Sequence, residues 1–329
     1  MRSANRAEIS SEASPAGSSR APGGGFGDRL AKLVTARHSQ LVLGLDPDPS
    51  RLWPRALELV GGAWQPPAAR AALGVRAHCA LAIEAAGEQC VAVKLQVACF
   101  ERLGAPGWTA LREVSERARD QGLLVIADAK RGDIDASAAA YAQAFLSEAP
   151  TVYGPVAGLG ADALTVNPLL GSDSLRPLLD AARARGGGLF VLVRTSNPGA
   201  AEVQELMLAD GGSVSERLAL IVAELGAPAI GAGGLSDVGA VVGATAPQRL
   251  QALRGLMPHA VFLLPGVGAQ GGRVEDLAAA FEPGPAGGLI SVSRGIASAY
   301  EHFGGDPAAA ARHEAGRLRE LAWKLATGG

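Results

Sequence analysis

Short apolar runs recur along this chain and alternate with longer amphipathic stretches. Most of the runs are continuously apolar, and they cover residues 41–45, 91–95, 123–127, 163–166, 189–193, 239–244, 261–265 and 289–293. Continuous rather than alternating apolarity is typical of parallel strands that helices cover on the outside. The pattern therefore predicts eight parallel strands.

Helical patterns lie between these runs. They predict helices over 68–88, 107–122, 134–149, 172–186, 213–226, 246–257, 273–281 and 306–326. Glycine ends several of them, as is usual at helix C-termini. Eight strand–helix pairs predict an α/β protein with a single (β/α)8 barrel, the TIM-barrel architecture. A doubly wound open sheet is the alternative, but eight strict alternations favour the barrel.

The first part of the chain lacks this pattern. Residues 1 to about 26 are rich in Ser, Ala, Gly and Pro and contain no apolar secretory-signal core. Such a composition predicts disorder. We place the boundary so that residues 1–37 form a disordered or poorly ordered tail and residues 38–329 form the catalytic barrel domain. No run of about 18 uncharged apolar residues predicts a membrane span.

Composition excludes several partners. The 30 Lys and Arg residues nearly balance the 32 Asp and Glu residues, which gives no electrostatic support for nucleic acid or an anionic membrane as a partner. Cys79, Cys90 and Cys99 stand in apolar surroundings without a CxxC pair. We expect them to be reduced, buried thiols in a cytoplasmic protein. The five histidines lack ligand spacing, so no metal site is predicted.

Polar residues cluster where the predicted strands end, which is where barrel enzymes carry their chemistry. These residues are Asp46, Lys94, Gln96, Asp128, Lys130, Asp133, Asn167, Arg194, Thr195, Ser196, Asn197, Ser293 and Arg294. The opposite ends of the strands show no comparable set. The sequence therefore predicts a site at the carboxyl rim of the barrel.

One half of that rim has the features of a phosphate site. Residues 266–272, "GVGAQGG", carry the spacing GxGxxG in Gly266, Gly268 and Gly271. A dinucleotide site needs this motif after the first strand, whereas here it follows the seventh. Loops after the last two strands of a barrel often bind phosphate through backbone N–H groups. Gln270 and Arg294 would add side-chain donors; a plain glycine-rich turn with a surface arginine is the alternative.

The other half is a charge cluster. Asp128 and Lys130 are two apart on one strand and should face the barrel mouth together, with Lys94 on the adjacent strand. Asp133 follows the turn at Gly132 and could reach across a subunit boundary. Alternating Lys and Asp groups hold one another in the charged form.

A carboxylate beside an ammonium group suits decarboxylation. The carboxylate repels an anionic group of the substrate, and the ammonium supplies a proton where that group leaves. A solvated, salt-bridged turn is the alternative without chemistry. A Schiff-base lysine would need a neutral amine, which the acids around Lys130 disfavour.

Seven blocks of the sequence resemble those of the orotidine 5′-phosphate decarboxylase family, in its longer bacterial (type 2) subgroup. The blocks are "GLDP" 44–47, "VKLQVACFE" 93–101, "DAKRGDI" 128–134, "TVNPLLG" 165–171, "RTSNPGA" 194–200, "PGVGAQGG" 265–272 and "SVSRGI" 291–296. Together they extend over about residues 40–300. In one departure from the subgroup, Leu95 stands where proline is expected.

The resemblance implies conversion of orotidine 5′-monophosphate to uridine 5′-monophosphate and CO2, the last step of de novo pyrimidine synthesis, without a metal or organic cofactor. It also implies a homodimer. By resemblance, Lys130 donates the proton to pyrimidine C6, Asp128 lies beside the departing carboxylate, Lys94 joins the charge network, and Asp133 comes from the second subunit. The implied substrate-binding residues are Asp46, Thr165, Asn167, Ser196, Gly266, Gly268, Gln270, Arg294 and Gly295.

Two other functions compete with this interpretation. A related barrel could decarboxylate a sugar phosphate with the help of a metal, but no metal-binding acid is obvious and "TSNPGA" would be unexplained. A non-catalytic nucleotide-binding barrel is the third hypothesis. The presence of Lys94, Asp128, Lys130 and Asp133 argues against it.

Overall fold

A computed structural model of the chain describes residues 24–62 and 64–328. Residues 1–23, most of the predicted tail, lie outside the described residues. The prediction of a poorly ordered segment was wrong for residues 26–37, which form helix α1, Phe26–Arg37. The barrel domain therefore begins before residue 38.

Eight strands form a closed parallel barrel in the order β1-β2-β3-β6-β7-β8-β9-β10, so the predicted fold class is confirmed. The barrel strands are β1 Leu41–Leu45, β2 Ala92–Gln96, β3 Leu124–Arg131, β6 Ala163–Val166, β7 Gly188–Arg194, β8 Val238–Val242, β9 Phe262–Pro265 and β10 Gly288–Val292. Two short strands, β4 Glu148–Ala149 and β5 Val156–Ala157, form a separate antiparallel pair.

Helices pack around the barrel, and seven of those in the described ranges lie where the pattern predicts them. The helices are α1, then α2 Pro54–Leu59, α3 Pro67–Ala86, α4 Val97–Glu101, α5 Ala105–Asp120, α6 Asp135–Phe145, α7 Ser172–Ala184, α8 Ala200–Gln204, α9 Val214–Gly226, α10 Leu250–Leu256, α11 Arg294–Ala297, α12 Tyr300–Phe303 and α13 Pro307–Thr327. The predicted helix 273–281 is a 3-10 helix, Val274–Phe281.

Helix α6 ends four residues before the predicted limit of 149. The chain turns back after it, and the N–H groups of Leu159 and Ala161 bond the carbonyls of Ala144 and Phe145. These bonds satisfy carbonyls at the end of the helix, so the helix need not continue. The residues beyond it pair as β4 and β5 instead.

The hydrophobic core has an outer and an inner part. Leu41 and Leu43 of β1 belong to the large cluster between strands and helices, whereas Val42 belongs to a smaller cluster inside the barrel. Phe190 and Ile126 are further members of the inner cluster. The interior is thus filled by side chains below the rim, which leaves the rim itself for polar residues.

Helix α1 adds its buried face to the inner cluster. Phe26, Leu30 and Val34 recur at a spacing of four residues, which places them on one side of the helix. The Phe26 ring packs edge-on against Phe190 with centroids 5.8 Å apart. At the end of the helix, Arg37 donates to the carbonyls of Gly87 and Gln121 at 3.1 and 2.8 Å. The helix is therefore part of the folded barrel.

The three cysteines are free. Cys79 and Cys90 are buried, and Cys99 is half-buried. Burial raises the pKa of the Cys90 thiol to about 12, so this group stays protonated at neutral pH. Within residues 24–62 and 64–328, no helix is both long and apolar enough to cross a bilayer.

The role of α1 gives a stability prediction. Leu30→Ala removes a fully buried side chain from the inner cluster and should lower the free energy of unfolding by about 2–5 kcal/mol. Lys32→Ala on the exposed side of the same helix is the matched control, expected to change it by less than about 0.5 kcal/mol. Urea denaturation measures both. Equal stability of the two variants would show that α1 does not belong to the core.

Candidate active site

A cavity of about 370 Å³ opens at the carboxyl ends of the barrel strands, where the sequence predicts a site. Its polar lining residues are Asp46, Lys94, Gln96, Asp128, Lys130, Thr165, Thr195, Ser196, Asn197, Gln270, Ser291, Ser293 and Arg294. Gly266 and Gly295 also line it. The barrel therefore brings most of the predicted site residues into one space.

Asp128 is the centre of a dense network of hydrogen bonds. Lys130 Nζ donates to its Oδ1 at 2.6 Å, and Lys94 Nζ donates to its Oδ2 at 2.8 Å. Thr165 Oγ1 donates to Oδ1 at 2.9 Å, and Gln96 Nε2 donates to Oδ2 at 3.2 Å. Each carboxylate oxygen thus accepts one charged and one neutral donor, which satisfies a group that is only 6% exposed.

The network keeps its buried members charged. Burial alone would raise the pKa of Asp128, but the ammonium groups of Lys94 and Lys130 outweigh it and hold that pKa well below its usual range. Burial alone would lower the pKa of Lys94, yet Asp128 and Asp46 raise it above its usual value. Asp46 Oδ1 lies 3.5 Å from Lys94 Nζ. Asp128 and Lys94 are therefore both ionised through the neutral pH range.

The sign of the Asp128 shift sets its effect on stability. Since the pKa of Asp128 is lower in the folded than in the unfolded chain, its stabilising contribution is complete above the unfolded pKa of about 4. It is lost as pH falls below that value. The network should thus weaken only in acid.

Lys130 reaches the network through an irregular backbone. Ala127 pairs with Leu164 of β6, whereas Arg131 already pairs with Val166, so β3 bulges between these points. Lys130 has a φ of 51°, in the left-handed region, which costs a residue other than glycine about 1–2 kcal/mol. Its N–H donates to Thr165 Oγ1 at 2.9 Å. The expectation from simple strand alternation places Lys130 beside Asp128 correctly, but it does not predict this bulge.

Asp133 and Asn167 do not line the cavity of the single chain. Asp133 is half-buried, and its Oδ1 accepts the N–H of Ile134 at 2.8 Å. Asn167 is exposed, and its Oδ1 accepts the N–H of Leu169 at 3.0 Å. The Asp133 carboxylate and the Asn167 amide thus each cap a local turn next to the site.

The glycine-rich loop stands on the opposite side of the cavity. Gly266 has a φ of 104°, and a Cβ there would lie 2.9 Å from Gln270 Oε1. Glycine is therefore required for the turn that brings Gln270 to the cavity wall. Gly268 also has a positive φ, but it lies outside the lining. Arg294, which follows β10, is exposed and forms no ion pair within the described part of the chain.

Residues 195–197 form a second wall next to this loop. Thr195 Oγ1 donates to Asn197 Oδ1 at 2.6 Å, and Thr245 Oγ1 donates to the Ser196 carbonyl at 3.1 Å. Arg194, which the sequence placed at the rim, is buried beneath the wall and pairs with Glu205 at 2.9 Å. Arg194 therefore supports this wall instead of lining the cavity.

The floor of the cavity was not predicted. Leu192, Val241 and Leu263 line it with apolar side chains, together with the hydroxyl of Ser291. Ser291 lies on β10, two residues before the predicted rim residue Ser293. Strand alternation from Ser293 would have found Ser291.

Across the described ranges 24–62 and 64–328, no group of three or more His, Cys, Asp or Glu side chains is arranged to hold a metal ion.

Known proteins resemble this chain in sequence and in fold. The sequence model of the "Orotidine 5'-phosphate decarboxylase / HUMPS family" matches residues 39–313. An orotidine 5′-phosphate decarboxylase of Deinococcus radiodurans is 43% identical over 302 residues, which cover 90% of this chain and 96% of that protein. A relative of the same name from Haloarcula marismortui is 41% identical and covers 88% of this chain and 91% of its own length.

A solved structure agrees with these sequence matches. The OMP decarboxylase of Leishmania donovani superimposes with a TM-score of 0.67 at 32% identity, over 91% of this chain and 99% of that one. The family match extends over most of the chain, and the relatives align with this chain over nearly their full length. The chain therefore belongs to the orotidine 5′-phosphate decarboxylase family.

Proposed function

We propose that this protein converts orotidine 5′-monophosphate to uridine 5′-monophosphate and CO2, the last step of de novo pyrimidine synthesis. The observation that carries the proposal is the charge network in which Asp128 lies between the ammonium groups of Lys94 and Lys130. The glycine-rich loop and Arg294 stand across the same cavity. One side suits a reacting carboxylate, and the other suits a phosphate ester.

Substrate binding would begin at the phosphate. Backbone N–H groups of the loop around Gly266, the Gln270 amide and the planar guanidinium of Arg294 are suited to phosphate oxygens. The pyrimidine would then lie over the apolar floor, with Ser196 within reach of its amide edge. Asp46 and Lys94 would contact the ribose. Gly268 would shape the glycine-rich loop, and Gly295 would line the phosphate site beside Arg294. The Thr165 hydroxyl would lie beneath the reacting end.

The chemistry would occur beside Lys130. The bond between pyrimidine C6 and the carboxylate breaks, CO2 leaves, and the electron pair remains on C6. Lys130 then transfers a proton from its ammonium group to C6. The positive charge of Lys130, held in place before the reaction, stabilises the developing carbanion, and most of the rate enhancement would come from this preorganisation. Asp128 would lie beside the departing carboxylate.

The runner-up function differs in its cofactor. The family description also includes HUMPS, so a barrel that acts on a sugar phosphate with a metal stays the second candidate. Two observations favour the pyrimidine nucleotide. The relatives reported above are orotidine 5′-phosphate decarboxylases over nearly their whole length. The wall around Ser196 also gives the cavity a polar surface for a nucleobase.

We further propose a cytoplasmic homodimer in which Asp133 of one subunit completes the site of the other. Asp133 lies at the rim, outside its own cavity. Neighbouring apolar residues are exposed, with Ile134 at 50% and Leu169 at 81%. Exposed apolar clusters beside polar residues often mark protein interfaces. Asn167 would lie at the same interface, next to the shared site.

Lys130→Ala should abolish most turnover. Loss of the proton donor is expected to lower kcat by about 10²–10⁴-fold, whereas exposed Lys324→Ala should have no effect. The assay follows the loss of ultraviolet absorbance of orotidine 5′-monophosphate with EDTA present. An inactive parent protein would refute the proposed function, and dependence on added metal would favour the sugar-phosphate alternative.

Arg294→Ala should weaken recognition of the phosphate only. Because hydrogen bonds to a charged group contribute about 1.5–3 kcal/mol, kcat/KM for the nucleotide should fall about 10- to 100-fold. With orotidine, which lacks the phosphate, the variant and the parent should have equal kcat/KM. An equal loss with both substrates would place Arg294 outside the phosphate site.

Mixing Lys130→Ala chains with Asp133→Ala chains tests the shared site. Each homodimer is inactive, but a mixed dimer contains one site with both residues intact. Random exchange of subunits should restore about one site in four. Mass spectrometry of the intact dimers serves as the control for exchange. If mixed dimers form and stay inactive, Asp133 acts within its own subunit.

A further inference from the structure

We propose that Arg131 and Glu101 are positioning residues that hold the backbone of Lys130, and with it the ammonium group, in the geometry for proton transfer. Neither residue lines the cavity. The inference rests on the proposed function, because it concerns the group that delivers the proton. It adds two residues to that function that cannot touch the substrate directly.

The need for such residues follows from the bulge in β3. Four steps along β3, from Ala127 to Arg131, correspond to only two steps along β6, from Leu164 to Val166. The extra length is absorbed around Lys130, whose φ of 51° is unfavourable for a residue with a Cβ. A conformation of this kind persists only where its surroundings impose it.

Thr165 holds this bulge from inside the barrel. Its hydroxyl accepts the N–H of Lys130 at 2.9 Å and donates to Asp128 at 2.9 Å. This contact fixes the start of the turn and belongs to the charge network already described. It does not constrain the chain after Lys130, where the backbone returns to β6.

Arg131 holds the bulge from the outside. Its Nη1 donates to the carbonyl of Ala129 at 3.0 Å, so the side chain closes a ring across Lys130. Its backbone carbonyl accepts the N–H of Asn167 at 2.8 Å. The guanidinium also lies 5.4 and 5.5 Å from the ring centroids of Tyr141 and Phe145 on α6. The Arg131 side chain thus links the residue after Lys130 to Ala129, the residue before it, and packs this turn against α6.

Glu101 anchors the guanidinium from the neighbouring strand–helix unit. It pairs with Arg131 Nη2 and is the last residue of α4, which directly follows β2. Strand β2 carries Lys94, and β3 carries Lys130. The ion pair therefore connects the segments that carry the two lysines of the network. Both side chains are only partly exposed, at 23% for Arg131 and 31% for Glu101, so solvent screens the pair less than a surface pair.

This geometry predicts that loss of the ion pair lowers the rate of the chemical step but leaves the affinity for substrate nearly unchanged. Without the guanidinium, the turn at Lys130 can relax and its ammonium can move by a fraction of an ångström or more. A misplacement of about 1 Å can cost about 100-fold in rate. Substrate binding depends mainly on the phosphate half of the cavity, which these residues do not contact. The rate of proton transfer should fall while affinity persists.

The experiment compares Arg131→Met, Arg131→Lys, Glu101→Gln and the double variant Arg131→Met with Glu101→Gln. Single-turnover loss of CO2 from orotidine 5′-monophosphate gives the chemical rate, and titration with uridine 5′-monophosphate gives affinity. The exposed pair Arg112–Glu116 on α5 offers a matched control, Arg112→Met. Circular dichroism measures the folded fraction of every variant, so that rates refer to folded protein.

We expect Arg131→Met to lower the single-turnover rate about 10- to 100-fold and Glu101→Gln to lower it less, with product affinity within about threefold of the parent. Arg131→Lys, which keeps the charge toward Glu101, should recover part of the rate. The double variant should be no slower than Arg131→Met alone, since both substitutions break one contact. Arg112→Met should match the parent.

Three results would overturn the inference. One is a parental rate in folded Arg131→Met, which would leave the pair a purely structural role. Another is an equal loss of rate and product affinity, and the third is additive losses in the double variant. A parent protein without decarboxylase activity would refute the proposed function itself, and this inference would fall with it.

Discussion

A buried carboxylate between two ammonium groups is the interaction on which the site depends. Asp128 accepts hydrogen bonds from Lys94 and Lys130 on its two oxygens, and Thr165 and Gln96 complete its coordination. Removing one partner of a buried ion pair typically costs about 3–5 kcal/mol, because the remaining charge is uncompensated. The network therefore positions its lysines firmly before any substrate arrives, which is the condition for electrostatic catalysis.

The barrel places this network opposite a site for an anion. Strands β1, β2, β3 and β6 carry the charged half, whereas the glycine-rich loop and Arg294 follow β9 and β10. Because the sheet closes into a barrel, the distance between the charged half and the anion-binding half of the rim is fixed. Binding energy gained at a remote phosphate can be used to hold the reacting end of a substrate against fixed charges. Helix α1 contributes its apolar side to the interior of the same barrel.

Much of this architecture could be predicted from the sequence, for a physical reason. Parallel strands covered on the outside are continuously apolar, so each predicted barrel strand agrees with the structure within a few residues, and rim residues follow directly after the strands. Helix α1 was missed because the Gly- and Pro-rich composition before it dominated the interpretation. The apolar spacing of Phe26, Leu30 and Val34 was nevertheless a detectable signal.

Other features arise only from tertiary contacts. The bulge at Lys130 results from pairing between β3 and β6, and no local pattern distinguishes it from a regular strand end. The positions of Asp133 and Asn167 are set by turns at the rim, where one residue more or less redirects a side chain. Glu101 and Arg131 are far apart in the sequence, and no local pattern connects them. Their ion pair is therefore evident only from the three-dimensional structure.

A crystal structure with uridine 5′-monophosphate bound would test the central claim most directly. The quantity to measure is the distance from Lys130 Nζ to pyrimidine C6, together with the distance from the phosphate oxygens to Arg294. We expect about 3–3.5 Å for the first, as required for direct proton transfer, and hydrogen-bond contact for the second. A Lys130 ammonium turned away from the ring, with Asp128 left unpaired, would contradict it.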